Sequence, residues 1–354
     1  MRKIYLLFTF LISLSIYAQE SYYEGIDFTL PPDQLFRVLQ NKLEDYNTSY
    51  TYGEVRDMMK IADEWEEDHS KVVLIYGYDD NDNNCTTDYT RDKNKFGGSN
   101  CEYNREHVFP RSLAVPGMGA TNNNRTGIVA DPHNLRPADQ KMNQDRENFK
   151  FGPGSGNAGT RNSTTGTHWY PGDEWKGDVA RMMMYMYVRY GEQCLPSLVG
   201  KGDTMDQNEM LELFLEWNAE DPVNYLEIQR NDYLEGVYGN RNPFIDNPHL
   251  ATTLWGGMPA EDRWGILNVP LYEWEENFSI YPNPASDVIW VESTTTNEHT
   301  VYTLYNITGK KVWEDSAAAS SSKKSIPVQD LASGIYILNI HDTQHSLNKK
   351  VIVK

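Results

Sequence analysis

The stretch Asn100 to Phe149 decides how this chain is read. It opens with NCEYNREHVFPRS (residues 100–112), crosses a Gly/Asn-rich loop and closes with VADPHNLRPADQKMNQDRENF (residues 129–149). The first segment predicts a strand broken at Pro110, since proline lacks the N–H that a ladder needs, with Arg105, Glu106 and His107 near its end. The second predicts a short strand holding Asp131, His133 and Asn134, followed by a polar helical segment centred on Asn143. Strand, strand and helix thus gather acid, histidine, amide and arginine side chains in one place. The rest of the chain reads as scaffold, delivery or address.

Upstream, residues 1–18 carry Arg2 and Lys3, an apolar run and Ala18, the pattern of a secretory signal peptide. The run is shorter than the roughly 20 residues of a membrane span, so no stable membrane insertion is expected. PPDQLFRVLQNKLEDY spaces Leu35, Val38, Leu39, Leu43 and Tyr46 as an amphipathic helix with a proline start, and TYGEVRDMMKIADEW predicts a second. KVVLIYGY predicts a strand running into the solvated turn DDNDNNC. Export to an oxidising compartment permits a disulfide, and among Cys85, Cys101 and Cys194 the pair Cys85–Cys101 is expected, worth roughly 3 kcal/mol on the chain-entropy estimate.

Downstream, GPGSGNAGTRNSTTGT predicts a flexible surface loop. WKGDVARMMMYMYVRYG predicts a helix with Val179, Met182, Met183, Met186 and Tyr187 on one face, the methionines read as core. MDQNEMLELFLEWN and NYLEIQRNDYLEG predict further helices. From Phe278 the texture changes to short alternating apolar runs separated by turn residues, which argues a small all-β sandwich. The expected organisation is a catalytic domain over residues 19–272, a linker over 273–277 and the sandwich over 278–354. The fold class is α+β: a mostly helical domain around a ββα core, then the sandwich.

The formal charge of −19 is unusual for a protein that meets polyanions. The tail from Phe278 balances seven acids with seven lysines and the signal contributes two positive charges, so the region between carries −21. Any phosphate site must be a local basic patch on an acidic body. Arg105, Arg111, Arg125, Arg136, Lys141, Arg146, Lys150 and Arg161 supply one.

Those residue types suit phosphodiester cleavage, which needs a base to activate water, a cation for the developing charge and positive groups on the phosphate. His107 is the candidate base, and on its unperturbed value of about 6.5 it must lose a proton to act, so activity is expected to fall below that pH. Magnesium takes hard oxygens and keeps several waters, so Glu106 and Asn143 suffice as metal ligands. One geometric difficulty stands against this: neighbouring residues of a regular strand face opposite ways, so Glu106 and His107 share a site only where the strand ends or twists. Arg146 lies one helical turn from Asn143 and is placed to grip phosphate with its planar fork. Arg125, Arg105 and Arg136 are further phosphate candidates.

NREHVFPRS, DPHNLRPAD and NQDRENF, with GDVARMMMYMYVRYG, EWNAEDPVNYLEIQRND and NRNPFIDNP, resemble the endonuclease I family of secreted, non-specific nucleases with a ββα-metal (His-Me finger) site. The resemblance spans most of residues 34–256. It implies hydrolysis of DNA and RNA to 5′-phosphate ends, with His107 as general base, Glu106 and Asn143 as ligands of magnesium (manganese or calcium being substitutes), and an arginine on the phosphate, Arg125 and Arg146 both remaining open. YPNPASD, YNITGKKV, LASGIYILNI and KKVIVK similarly resemble the type IX secretion sorting domain, which implies the type IX machinery as partner and a secreted or cell-surface product. A monomer is expected. The competing reading is a non-catalytic exported adhesin or glycan binder using the 23 tyrosines and 9 tryptophans. A zinc protease is poorly supported, because no His-Glu-x-x-His occurs.

Overall fold

The computed structural model describes residues 21–44, 50–164, 166–204, 209–265, 278–293, 300–306, 310–317, 323–341 and 346–354. The expected signal peptide and the linker at 273–277 lie outside the described residues. The chain forms two compact units that divide between Trp264 and Gly265, giving an α+β architecture with an all-β C-terminal unit.

In the first unit, α1 (Pro32–Glu44) buries Leu35, Leu39 and Leu43, the face its spacing predicts. Thr51 and Glu54 form a capping box that starts α2 (Tyr52–Ala62), each side chain satisfying the other's backbone N–H. A three-stranded sheet follows, β1 (Glu64–Trp65), β2 (Asp68–Val73) and β3 (Thr90–Asp92), and next to it stands the two-stranded β4 (Tyr103–His107) and β5 (Leu135–Asp139). Cys85 and Cys101 are disulfide-bonded with Cα atoms 5.4 Å apart, closing the segment just before β4. Cys194 is a buried free thiol.

β4 and β5 pair antiparallel with Arg105 opposite Pro137, Glu106 opposite Arg136 and His107 opposite Leu135. The strand turns directly into α3 (Gln140–Arg146) because Asp139, its last residue, caps the helix: one carboxylate oxygen accepts from the amides of Lys141 at 2.8 Å and Met142 at 3.0 Å, and the other holds Arg91 at 3.0 Å. This is the ββα unit expected of residues 100–149. One detail differs. Asp131, His133 and Asn134 do not belong to the second strand: His133 and Asn134 lie in the 3₁₀ turn Pro132–Asn134, Asp131 caps it after the 3₁₀ turn Gly127–Ala130, and the strand begins at Leu135. Asp131 accepts from the His133 amide at 2.9 Å, so proline and a local side-chain cap together favour the turn over the ladder.

The stretch expected as a flexible loop is partly ordered as the hairpin β6 (Gly159–Ser163) and β7 (Gly166–Tyr170), with Arg161 opposite His168. Its apolar signal is weak because only the end of β7, at His168, Trp169 and Tyr170, is buried. α4 (Lys176–Tyr190) is buried around nearly its whole circumference, Met184 and Tyr185 included, rather than on a single face. It packs against α1 and against α5 (Glu212–Glu220), and so forms the centre of the unit. α6 (Tyr225–Tyr238), opened by an Asn224–Glu227 capping box, and α7 (His249–Trp255) complete it.

The second unit has two antiparallel sheets, ordered β11-β10-β13-β14 and β12-β9-β8, where β8 is Phe278–Tyr281, β9 Val288–Ser293, β10 Thr300–Asn306, β11 Lys311–Ala317, β12 Lys323–Pro327, β13 Gly334–His341 and β14 Ser346–Val353. Alternate residues of both, among them Ile289, Val291, Leu304, Ile326, Leu338 and Ile340, meet in one core. Among the described residues no helix is long and apolar enough to cross a membrane.

Candidate active site

A groove of about 680 Å³ opens along β4, lined by Arg105, Glu106 and His107, by Tyr52 at the start of α2, by Asn143 of α3, and by Arg111 and Gly119 from the loop after Pro110. Alternation along β4 does put Arg105 and His107 on one face, against Tyr52, and Asn104 and Glu106 on the other, towards α3. They nonetheless line one groove, because among the described residues β4 pairs with β5 along one edge, meets only the isolated Phe96–Tyr103 bridge at the start of the other, and ends at His107, so both faces are reached from its open end.

His107 is buried, its ring stacked on Tyr52 with centroids 5.5 Å apart and planes 17° from parallel. Nε2 lies 2.8 Å from the Val129 carbonyl oxygen. Since that oxygen can only accept, Nε2 carries the proton and a neutral ring leaves Nδ1 unprotonated. Burial pushes the imidazole down to about 3, so the ring stays neutral far below the pH of about 6.5 expected from the sequence. The strand end that bears it is clamped from β5's side: the Asn134 amide accepts from Phe109 N–H at 2.7 Å and donates to the Phe109 carbonyl at 3.1 Å.

Glu106 is buried, and burial raises its carboxyl to about 7 despite the nearby Arg146 cation. Its Oε1 accepts from the Tyr76 hydroxyl at 3.1 Å and lies 3.3 Å from Arg146 Nε, an ion-pair contact without hydrogen-bond alignment. Oε2 has no protein partner among the described residues. The Asn143 amide nitrogen donates to Asn104 Oδ1 at 2.6 Å, which leaves the amide oxygen as its free end. Two oxygen donors, one anionic and one neutral, therefore remain in the same groove as His107. No group of three or more His, Cys, Asp or Glu side chains suited to a metal occurs among the described residues.

The arginines separate sharply. Arg105 lies over the Tyr52 ring at 3.5 Å, donates to the Tyr52 carbonyl and reaches Asn123 Oδ1 at 3.3 Å. Arg111, not singled out in the sequence beyond its place in the basic patch, lines the groove and donates to the Gly119 carbonyl at 2.6 Å. Neither forms an ion pair among the described residues. Arg125 is exposed, with its guanidinium beside Gly119 at the groove's rim.

The other two do not reach the groove. Arg146 is fully buried, over the Phe151 ring at 4.7 Å, donating to the carbonyls of Val108 at 2.7 Å and Glu147 at 3.1 Å. It shares the neighbourhood of Asn143 as its spacing suggests, but it touches Glu106 and backbone rather than facing solvent, where a phosphate would lie. Arg136 runs into the interior, 2.8 Å from Asp63 and 3.1 Å from Asp178, so the expectation that it binds substrate is not met by its position. Two buried carboxylates already neutralise it.

Comparison with known proteins gives the family. The endonuclease I family model matches residues 33–249, and that of the secretion system C-terminal sorting domain matches residues 279–354. An extracellular ribonuclease of Bacillus subtilis (strain 168) is 35% identical over 249 residues, covering 67% of this chain and 78% of that protein. Another of Bacillus amyloliquefaciens is 36% identical over 248 residues, with the same coverage of 67% and 78%. An extracellular deoxyribonuclease of Aeromonas hydrophila is 28% identical over 135 residues, 34% of this chain and 50% of its own length. With its ββα unit, its groove and these relatives, the chain belongs to the endonuclease I family, and it is a nuclease exported to the medium or the cell surface by a type IX sorting domain.

Proposed function

We propose that the protein is a magnesium-dependent, non-specific endonuclease that hydrolyses DNA and RNA to 5′-phosphate ends, with His107 as general base. The observation that carries this reading is the His107 ring: its Nε2 proton is committed to the Val129 carbonyl, so the basic Nδ1 shares a groove with the free oxygens of Glu106 and Asn143. Nδ1 takes a proton from water as the water oxygen bonds to phosphorus and the P–O3′ bond breaks; the departing O3′ takes a proton from solvent and the ring later returns its own, leaving a 3′-hydroxyl and a 5′-phosphate. Arg105 and Arg111 hold the phosphate oxygens, being the groove cations without a carboxylate partner. Stacking on Tyr52 keeps both Arg105 and His107 from swinging away.

Magnesium fits this donor set. One carboxylate and one amide oxygen suffice for a small hard cation that keeps several waters, and burial has made the Glu106 charge costly in a way that a neighbouring cation offsets. When bound there the ion would stabilise charge on the phosphate and the departing oxygen. Manganese and calcium, which take the same donors, are the substitutes to compare.

The test is cleavage of supercoiled plasmid and of single-stranded RNA with EDTA, then with magnesium restored, followed by analysis of the ends. The expected result is no cleavage in EDTA, recovery with magnesium, and 5′ ends that accept label from a kinase only after dephosphorylation. Undiminished cleavage in EDTA, or 3′-phosphate ends, would overturn the reading.

A further inference from the structure

Tyr76 stands out because its backbone and its side chain pull in different directions. It is fully buried, yet its φ is +72°, in the left-handed region where a side chain of this size is uncommon and glycine is the usual occupant. The chain does have a glycine at hand: Gly77 follows directly, but it serves another need. A Cβ there would lie 2.1 Å from the Asp88 carbonyl oxygen, so Gly77 permits a close approach of two backbone segments. A tyrosine is thus held in a conformation a glycine would adopt more readily, which points to a use for its side chain.

That side chain reaches the site. The ring packs edge-on against Trp169 with centroids 5.5 Å apart, and the hydroxyl donates to Glu106 Oε1 at 3.1 Å. Its distance from Glu106 is fixed by backbone: Ile75 N–H donates to the Pro137 carbonyl at 2.8 Å, and Pro137 belongs to β5, whose ladder pairs Arg136 with Glu106. From the α3 side Arg146 meets the same oxygen at 3.3 Å. Both fully buried partners thus converge on Oε1, and Oε2 is the oxygen left for the groove.

We propose that Tyr76 is a positioning residue for divalent-cation binding: by holding Oε1 it fixes the rotation of the Glu106 carboxylate so that Oε2 is presented to the ion. This rests on the reading that Glu106 is a metal ligand. Outer partners of this kind orient a ligand without touching the metal, and losing one typically costs about 10- to 100-fold in affinity or activity. The effect of Tyr76 must then pass through Glu106 alone.

The experiment is a double-mutant cycle on the full chain, read as direct binding of manganese by the loss of its free-ion paramagnetic resonance signal, with thermal melts for each protein. Tyr76→Phe keeps the ring on Trp169 and removes only the hydroxyl. It should weaken manganese binding about tenfold. In a Glu106→Gln background the same change should alter binding less than about twofold, because the group it orients no longer carries charge. Single-turnover cleavage by Tyr76→Phe at saturating metal should stay within about threefold of wild type. Equal weakening in both backgrounds, or a Tyr76→Phe protein that melts lower but binds manganese as wild type does, would overturn the proposal. Should Tyr76→Phe fail to fold, Arg146→Lys, which removes the contact to the same Oε1, takes its place in the cycle with the same outcomes. Manganese binding unaffected by Glu106→Gln itself would instead remove Glu106 from the metal site, a failure of the underlying reading and not of Tyr76 alone.

Discussion

On the groove side of β4, Arg105 and His107 lie against Tyr52, their polar partners being carbonyl oxygens and one amide. Beneath the same hairpin, Arg136 meets Asp63 and Asp178, and His133 Nε2 donates to the Asn240 carbonyl oxygen at 3.1 Å while the ring packs on Tyr185. The residue types are the same in both places. What separates them is whether a carboxylate already lies within reach. Asp63, Asp178 and Asp131 neutralise the lower arginines, Asp131 holding Arg189 at 2.9 Å, whereas Arg105 and Arg111 keep their charge for a ligand. Arg37, Arg125, Arg161 and Arg263 also form no ion pair among the described residues, but of these unpaired arginines Arg105 and Arg111 are the two that line the groove.

The histidines test this division first, and the expected effect is the largest. His107→Ala should lose about 10²- to 10⁴-fold in single-turnover rate at saturating magnesium, the usual worth of a positioned base, and remain folded. His133→Ala should cut at close to the wild-type rate but melt lower. Burial pushes His133 down to about 4, with Asp131 raising it and Arg189 and Arg230 lowering it further. The folded ring therefore stays neutral while the unfolded one protonates below about 6.5, so its contribution is fully present above that pH and falls by about 1.4 kcal/mol per unit towards 4. The stability lead of wild type over His133→Ala should accordingly shrink between pH 6.5 and 5. A folded His107→Ala protein cutting at the wild-type rate would erase the distinction between the two sides.

Arg136 comes next. Replacing it with Met leaves Asp63 and Asp178 buried with one cation fewer, and breaking such a pair costs about 3–5 kcal/mol. Urea unfolding should show that loss, with any activity change explained by the unfolded fraction. An Arg136→Met protein of wild-type stability and reduced DNA binding would return Arg136 to the groove.

Much of this is legible in the sequence. The apolar spacing of α1 and the alternation of β9 and β13 are local signals, and local structure follows them. The proximity of Glu106, His107 and Asn143 was legible too, because strand, strand and capped helix leave little freedom in 50 residues. The fate of each arginine was not. Arg105, Arg136 and Arg146 sit in one basic stretch, and the acids that claim Arg136 come from the end of α2 and from α4, far away in sequence. Arg111 was similarly hidden, since its place depends on the path of the loop after Pro110. The misread strand at Asp131 and the all-round burial of α4 share that cause: tertiary neighbours, not period, decide them.

The smallest effects belong to the groove's edge, where Arg111 and Arg125 approach Gly119 from different sides of the same question. Arg111 lines the groove with its guanidinium tied only to a carbonyl, and Arg125 lies outside the lining. If few cations face the phosphates, DNA binding should show a log–log salt slope near −3, as about three neutralised phosphates give. Arg111→Ala should make that slope shallower by about 0.9 and lower kcat/KM about tenfold, the loss of one charge-assisted contact. Arg125→Ala should change the slope by less than half as much and kcat/KM by less than about threefold, because an exposed cation at the rim is screened by salt. Fluorescence anisotropy of a labelled duplex in EDTA, titrated with salt, measures the slopes without cleavage. Equal slope changes for the two variants would widen the binding face beyond the groove, and a wild-type slope near −8 would mean that cations outside it carry most of the contact.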